Sequence, residues 1–431
     1  MGNNQGVDLT VAVGLILVLV VAGTTWGVVA IVRRQQYIKS LRDRGWAFVN
    51  SPTFETVARL GNPPFGIGFH RRTDDQIVGR TSTGRPFQVI EYGSEHWSGW
   101  VGMVTLSRRL PELWITGGQT HPRFGVAVTA VPPPAQLGPG WQIGALVPAY
   151  ATEVVTSQLC ERLNALAAGQ PGVNLSIDGD QLVVLDPPRK EVELLGPWLE
   201  QLAGIAAVID ALPLDQWVQP ERPPRLSFYR HPDWYWIGVD DSLLQTTPVT
   251  RGGHAHRTSE VIRGRDGDGP PFVAFNHHWK TTRTETYTDS QGNSHTRTVT
   301  DNHRQALLGF QLPTRMPPLQ VGPNGLGSST LSFESGAFNE QFTVYAQDPK
   351  YAYDVIHPRQ MEYLMANPGI SFRFADDWAW FAVGVHSQPT IAHSSVFLRG
   401  FLARIPRFVW RNLGLAEAPY PPLDAPAVPR G

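Results

Sequence analysis

The sequence predicts an α+β protein: a single N-terminal transmembrane helix followed by two tandem antiparallel-sheet domains with two helices each. Three observations predict it. An uncharged apolar run extends from Leu9 to Val32. The remaining chain, about 400 residues, is too long for one ordinary core. That remainder also repeats its own pattern of strands and helices.

The apolar run comes first. Twenty-four residues at about 1.5 Å each cover roughly 36 Å, enough to cross a hydrocarbon core of about 30 Å with some tilt. A cleaved signal peptide would carry basic residues ahead of its apolar core, whereas residues 1–8 contain no Lys or Arg. Basic residues follow instead: Arg33, Arg34, Lys39, Arg42 and Arg44, in a juxtamembrane segment over 33–44. The excess of Lys and Arg on one side places that side in the cytoplasm. The expectation is therefore a cell-membrane protein with residues 1–8 outside, 9–32 spanning and the C-terminal body cytoplasmic. Gly23 and Gly27 form a GxxxG spacing that could let two such helices approach closely, giving a homodimer.

The body repeats. Gly79 to Phe87 aligns without gaps on Gly264 to Phe272. Leu106, Pro111 and Leu113 match Leu312, Pro317 and Leu319. Ala151, Glu161 and Leu163 match Ala352, Glu362 and Leu364. Leu175 and Ile177 match Phe372 and Phe374. The order holds throughout, so each copy reads as a whole domain, 45–215 and 225–412. Pro220, Pro223 and Pro224 stiffen a linker over 216–224. Residues 413–431 read as a disordered Pro-rich tail.

Within a copy the elements follow in a fixed order. A short aromatic strand opens it (Trp46 to Val49; Trp234 to Val239), then a strand pair (Phe87 to Tyr92 and Val101 to Leu106; Phe272 to Asn276 and Ala306 to Leu312). A helix follows, with Ala151, Val155, Leu159, Leu163 and Leu166 on one face and Gly169 at its end. Leu175 to Leu182 alternates around Asp178-Gly179, a pair suited to a type I′ hairpin turn. Trp198, Leu202, Ile205, Ile209 and Leu212 make the stripe of a closing helix. Its counterpart through Leu398, Leu402 and Ile405 should be shortened by Pro406.

Copy two adds a segment that copy one lacks. Residues 281–300 alternate Thr with long polar side chains around a turn at Ser290 to Ser294. They read as a polar β-ribbon with Thr–Thr cross-strand pairs. Both faces are polar, so the ribbon should project. Its exposed edge could receive a partner strand, with Thr286, Tyr287, His295 and Arg297 as candidate interaction residues.

Chemistry-bearing residues are sparse. A net charge of −1 gives no general pull toward nucleic acid. A single cysteine, Cys160, rules out an internal disulfide and aligns with an apolar Met361. His254, His256, His277, His278, His295 and His303 cluster in copy two. They lack an HExxH or CxxC companion and a carboxylate at ligand spacing. No catalytic residue, metal site or cofactor is therefore assigned. Asp376-Asp377 reads as a solvated hairpin turn rather than a carboxylate pair. The polar positions that the copies share are few, which favours a non-catalytic interaction or scaffold module with an unknown membrane or cytoplasmic protein partner. The alternatives are a lipid or small-molecule sensing domain and, behind it, a metal-dependent enzyme in copy two.

Phe338 to Tyr345, followed by Tyr353 to Met361, resembles the bacterial domain of unknown function 3137. The likeness covers roughly residues 255 to 385 and copy one more weakly. It implies a membrane segment joined to this domain. It implies no activity.

Overall fold

The computed structural model describes residues 28–118, 124, 128–169, 172–189, 191–324, 331–384 and 386–419. The spanning segment 9–32 therefore lies outside the described residues up to position 27, as do Gly23, Gly27 and the tail from 420. The chain divides into two compact units, to Pro224 and from Arg225. Both combine helices with antiparallel sheet, an α+β architecture.

Unit 1 opens with helix α1 over residues 28–43. Val28, Val29, Ile31 and Val32 on its first turns are exposed, whereas Leu41 near its end is fully buried. Between them Tyr37 donates its hydroxyl to the Arg189 carbonyl (2.6 Å), and Arg34 pairs with Asp75 (2.8 Å). The helix is thus seated in the unit at one end and free of it at the other. Strands β1 (Ala47–Asn50), β2 (Arg72–Arg80), β3 (Pro86–Gly93) and β4 (Ser98–Gly118) follow as an antiparallel meander. The 21 residues of β4 outrun β3, and the surplus length pairs with β6 (Gln142–Ala145), which β5 (Thr129–Val131) flanks. Helices α2 (Pro148–Val154) and α3 (Ser157–Gly169) precede β7 (Gly172–Leu185), and α4 (Val192–Asp210) closes the unit.

The helices seal one face of the sheet. Leu159, Leu163 and Leu166 of α3 and Leu195, Leu202, Ile205 and Ile209 of α4 are all buried with Leu113, Ile115 and Leu175 of the sheet. Each such side chain contributes roughly 1.5–3 kcal/mol through removal from water. Among the described residues α4 is the one helix long and apolar enough to cross a membrane; most of it is buried inside unit 1, packed on α3 and β4.

Two expectations for unit 1 need correction. The helix expected from Ala151 to Gly169 is two helices, because the backbone leaves the helical region at Val155 (φ −83°, ψ 67°). The hairpin expected at Asp178-Gly179 does not form. Strand β7 continues past it along β4, from Val101 opposite Leu185 to Gly118 opposite Gly172, with register shifts on either side of Leu110. An unbroken β4 offers β7 one continuous template. Gly179 takes its positive φ (63°) within the strand, where the register shifts opposite Leu110.

Unit 2 contains β8 (Leu226–Phe228), β9 (His231–Gly238), α5 (Leu243–Thr246), β10 (His254–Arg265), β11 (Pro271–Thr288), β12 (Ser294–Gln311) and β13 (Leu319–Pro323). Then come α6 (Gly336–Gln341), β14 (Phe342–Ala346), α7 (Pro349–Val355), α8 (Pro358–Met365), β15 (Phe372–Ala375), β16 (Trp378–Val383), α9 (Gln388–Arg404) and α10 (Arg407–Asn412). It thus holds more helices than the two expected, most of them eight residues or shorter. The strand order is β14-β13-β15-β16-β12-β11-β10-β9-β8. Here residues 312–318 separate β12 from β13, whereas β4 runs undivided through Pro111, the counterpart of Pro317. With the template broken, the following strand turns back at Asp376-Asp377, where Asp376 has φ 55°. Pro406 ends α9 at Arg404 and opens α10.

Several registers coincide between the units. Gly79 faces Phe87 and Gly264 faces Phe272. Leu113 faces Ile177 and Leu319 faces Phe374; Ile115 faces Leu175 and Val321 faces Phe372. Trp46 meets Phe87 edge-on at 5.1 Å, and Trp234 meets Phe272 at 4.9 Å. The break after α2 recurs after α7, at Ile356 (φ −92°, ψ 59°).

Candidate functional site

The ribbon 281–300 is formed by the outer halves of β11 and β12. Lys280 faces Asn302, and the ladder continues without a bulge to Thr288 opposite Ser294. Eight steps at about 3.4 Å extend it roughly 27 Å. The last β10 partner of β11 is His254, opposite Lys280, and the last β16 partner of β12 is Val383, opposite Ala306. Beyond these points both strand edges lack a strand partner among the described residues.

Strict alternation gives the ribbon two unlike faces. On one, Thr282, Thr284, Thr286 and Thr288 stand opposite Thr300, Thr298, Thr296 and Ser294. Cross-strand threonine pairs of this kind contribute on the order of 0.2–1 kcal/mol each. On the other, Arg283 bonds Asp301 (2.9 Å) and Glu285 (2.7 Å), and Arg297 bonds Glu285 (2.8 Å). Tyr287 stacks on His295 (5.5 Å), and Arg297 lies over the Tyr287 ring (5.7 Å). The Asp289 carboxylate holds the tip. It accepts from the amides of Gln291 and Asn293 (both 2.9 Å) and pairs with His295 Nε2 (2.8 Å). Those bonds, that to His295 foremost, lower its pKa to about 2. A two-stranded ribbon is marginal by itself. This one continues strands whose inner halves lie in the core.

The four candidate interaction residues fall on both faces. Tyr287, His295 and Arg297 form one contiguous group, and Thr286 lies on the threonine face.

At the ribbon's base four rings stack in a column. His256 lies 5.2 Å from His277, His277 lies 4.8 Å from Trp279, and Trp279 lies 5.1 Å from His303. His256 Nδ1 and His277 Nε2 share a hydrogen bond of 2.9 Å. His277 is fully buried; burial, then the His256, His278 and Arg251 charges, lower its pKa. His278 faces the other way and bonds Ser259 (2.8 Å). His295 belongs to the ribbon tip. Among the described residues no group of three His, Cys, Asp or Glu side chains could hold a metal ion. Cys160 is buried in the unit 1 core, and burial raises its thiol pKa.

Two cavities were not legible in the sequence. In unit 1 a cavity of about 590 Å³ is lined by Trp114, Phe124, Val131, Pro132, Trp141 and Gln142, among others. Its walls come from β4, β5 and β6 together with the flanking residues Phe124, Val128, Pro132, Pro133 and Trp141. In unit 2 a cavity of about 300 Å³ includes Arg373. Asp178, expected in a hairpin turn, is a buried ion-pair partner: it accepts from the Gly61 and Asn62 amides (both 2.8 Å) and from Arg222 (2.7 Å).

No protein-family model matches the chain, and no curated protein matches it. Among solved structures, the mycobacterial trehalose monomycolate transport factor A, TtfA, is similar at 12% identity, covering 44% of this chain and 97% of that chain, with a TM-score of 0.31. At that identity and TM-score the likeness supports no inference about this chain.

Proposed function

We propose that this chain is a single-pass membrane protein whose cytoplasmic body is a non-catalytic interaction module, with the ribbon 281–300 as its docking arm. The observation that carries this reading is the ribbon itself. It is a regular ladder, held by its own cross-strand contacts and exposed on both edges and both faces. Such an edge can receive an extended segment of a protein partner through main-chain hydrogen bonds, and the Tyr287, His295 and Arg297 face adds side-chain selectivity.

The membrane reading rests on the apolar run and the basic residues behind it. The exposed Val28, Val29, Ile31 and Val32 are what a helix emerging from a bilayer would present. Arg34, two residues after Val32, already pairs with Asp75 of unit 1, so in this reading the body lies close against the membrane surface. Dimerisation through Gly23 and Gly27 belongs to the same proposal. The coincident registers support descent of the two units from one duplicated domain. Kinship with the domain of unknown function 3137 is proposed on the stretch that forms α6 and β14.

Replacing Thr282–Thr298 with a Gly-Asn turn tests the docking arm. The thermal midpoint of the full chain should stay nearly unchanged while co-purification of its membrane partner is lost. Retention of every partner would remove the ribbon from the proposal. The apolar cavity of unit 1 favours a second reading, a site for a lipid chain or other apolar small molecule; its volume falls in the usual range of about 300–1,000 Å³ for such sites. Filling it with Gly144→Trp should then abolish binding of a fluorescent fatty acid.

A further inference from the structure

We infer that the cavity of unit 2 is a binding site for a small organic oxyanion, a carboxylate or phosphate monoester, held by Arg373. Its floor crosses four neighbouring strands. Gln320 of β13 faces Arg373 of β15, and Arg373 faces Trp380 of β16. Trp380 in turn faces Gly309 of β12. Leu307 and Ala382 pair alongside. A wall is supplied by Pro248 and Thr250 in the loop after α5, which is pinned because Val249 is buried beside Leu307 and Trp380.

Arg373 is the one charged side chain among the residues lining this cavity. Its guanidinium donates to the Pro248 carbonyl, which fixes its direction and occupies Nη2. No salt bridge to it exists among the described residues. Burial lowers its pKa, and no neighbouring acid offsets that. Half-buried arginines are ordinarily matched by a carboxylate, because an uncompensated charge in a partly desolvated site is costly. Gln305, Gln320 and Ser371 also line the cavity; none makes a side-chain hydrogen bond among the described residues. A guanidinium with free N–H groups, two amides and a hydroxyl match an oxyanion, which accepts several bonds at once. Pro248 and Ala382, which keep exposed surface on the cavity, give an apolar body somewhere to lie. The volume of about 300 Å³ limits the ligand to a small molecule or to the head of a larger one. A phosphate monoester could come from a soluble metabolite or a lipid headgroup.

The test titrates the purified full-length chain in detergent with phenyl phosphate, benzoate and inorganic phosphate by isothermal calorimetry. An aromatic probe should saturate with a Kd of about 1 mM or tighter and bind better than inorganic phosphate. Arg373→Gln should weaken it about tenfold or more, as expected for loss of a charged hydrogen-bonding partner. Arg373→Lys should retain part of the affinity. Ala382→Phe, which fills the mouth and leaves the guanidinium in place, should weaken it too, and decides the matter if Arg373→Gln fails to fold. Competition by phosphatidic acid vesicles, and not by phosphatidylcholine vesicles, would assign the headgroup source; no competition would assign the soluble one. Failure of every probe to saturate by about 10 mM, or wild-type affinity in the Gln and Phe variants, overturns the inference.

Discussion

Removing the Asp178 carboxylate tests how unit 1 is held together. The side chain is 1% exposed and satisfies two amides and a guanidinium from separate parts of the chain, at 61–62 and 222. Burial raises its pKa, against the opposing pull of Arg222 and the two amides. Asp178→Ala leaves two buried N–H donors without an acceptor, at about 1–3 kcal/mol each. It also breaks the ion pair with Arg222, whose guanidinium is 35% exposed and can return to water, so this loss adds less than the roughly 3–5 kcal/mol of a fully buried pair. These contributions overlap, so about 3–5 kcal/mol is the expected total, a large share of a domain's 5–15 kcal/mol. For a unit of this size the midpoint should fall by roughly 10 °C. Asp178→Asn keeps one acceptor oxygen and should cost less. Thermal unfolding of the full chain by circular dichroism, with hydrogen exchange at Gly61 and Asn62, reads both effects. A loss under about 1 kcal/mol, within the range of ordinary surface substitutions, or equal losses in the two variants, would refute the reasoning.

Other consequences follow from single side chains. His386 is buried, bonds the Leu307 carbonyl (2.9 Å) and has its pKa lowered to about 4, chiefly by burial. An unfolded histidine titrates near 6.5, so its contribution should be flat above pH 6.5 and fall by up to about 3 kcal/mol as pH drops to 4; His386→Gln should flatten that limb of a urea-midpoint profile. A Cβ on Gly309 would lie 2.5 Å from the Trp380 ring, whereas one on Gly336 meets nothing. Gly309→Ala should therefore cost about 1–3 kcal/mol and Gly336→Ala little, by denaturant unfolding. A reporter active only outside the cytoplasm, fused after Gly431, should stay silent; strong activity would invert the proposed orientation.

Local signals in the sequence located part of the described elements, and β2, β5, β6, β10 and β13 were not among them. The stripe from Trp198 to Ile209 marks a helix because one face must be apolar, and the alternation from Thr281 to Thr300 marks the ribbon because neither face is. What escaped depends on distant partners. Asp178-Gly179 has the composition of a turn, yet an unbroken β4 and acceptor-seeking amides at 61–62 keep it within a strand. Asp376-Asp377 turns where the strand beside it is divided into β12 and β13. The break at Val155 falls inside a regular apolar stripe; its one local mark is Thr156, whose hydroxyl accepts from the Leu159 amide (3.3 Å) at the start of α3. His256 meets His277 only through a register shift between His254 and Arg257. The residues around Trp114 and around Arg373 share cavities that exist only once neighbouring strands are in register.

The docking arm is tested most directly by placing a photo-crosslinking amino acid along the ribbon in native membranes, at Thr286, Tyr287, Thr296 or Arg297 in turn. Leu194, exposed and distant in sequence, serves as the control. A discrete protein adduct at the ribbon positions and none at Leu194 is the expected result. An absence of adducts along the ribbon, with partners still captured by the rest of the body, would contradict the account.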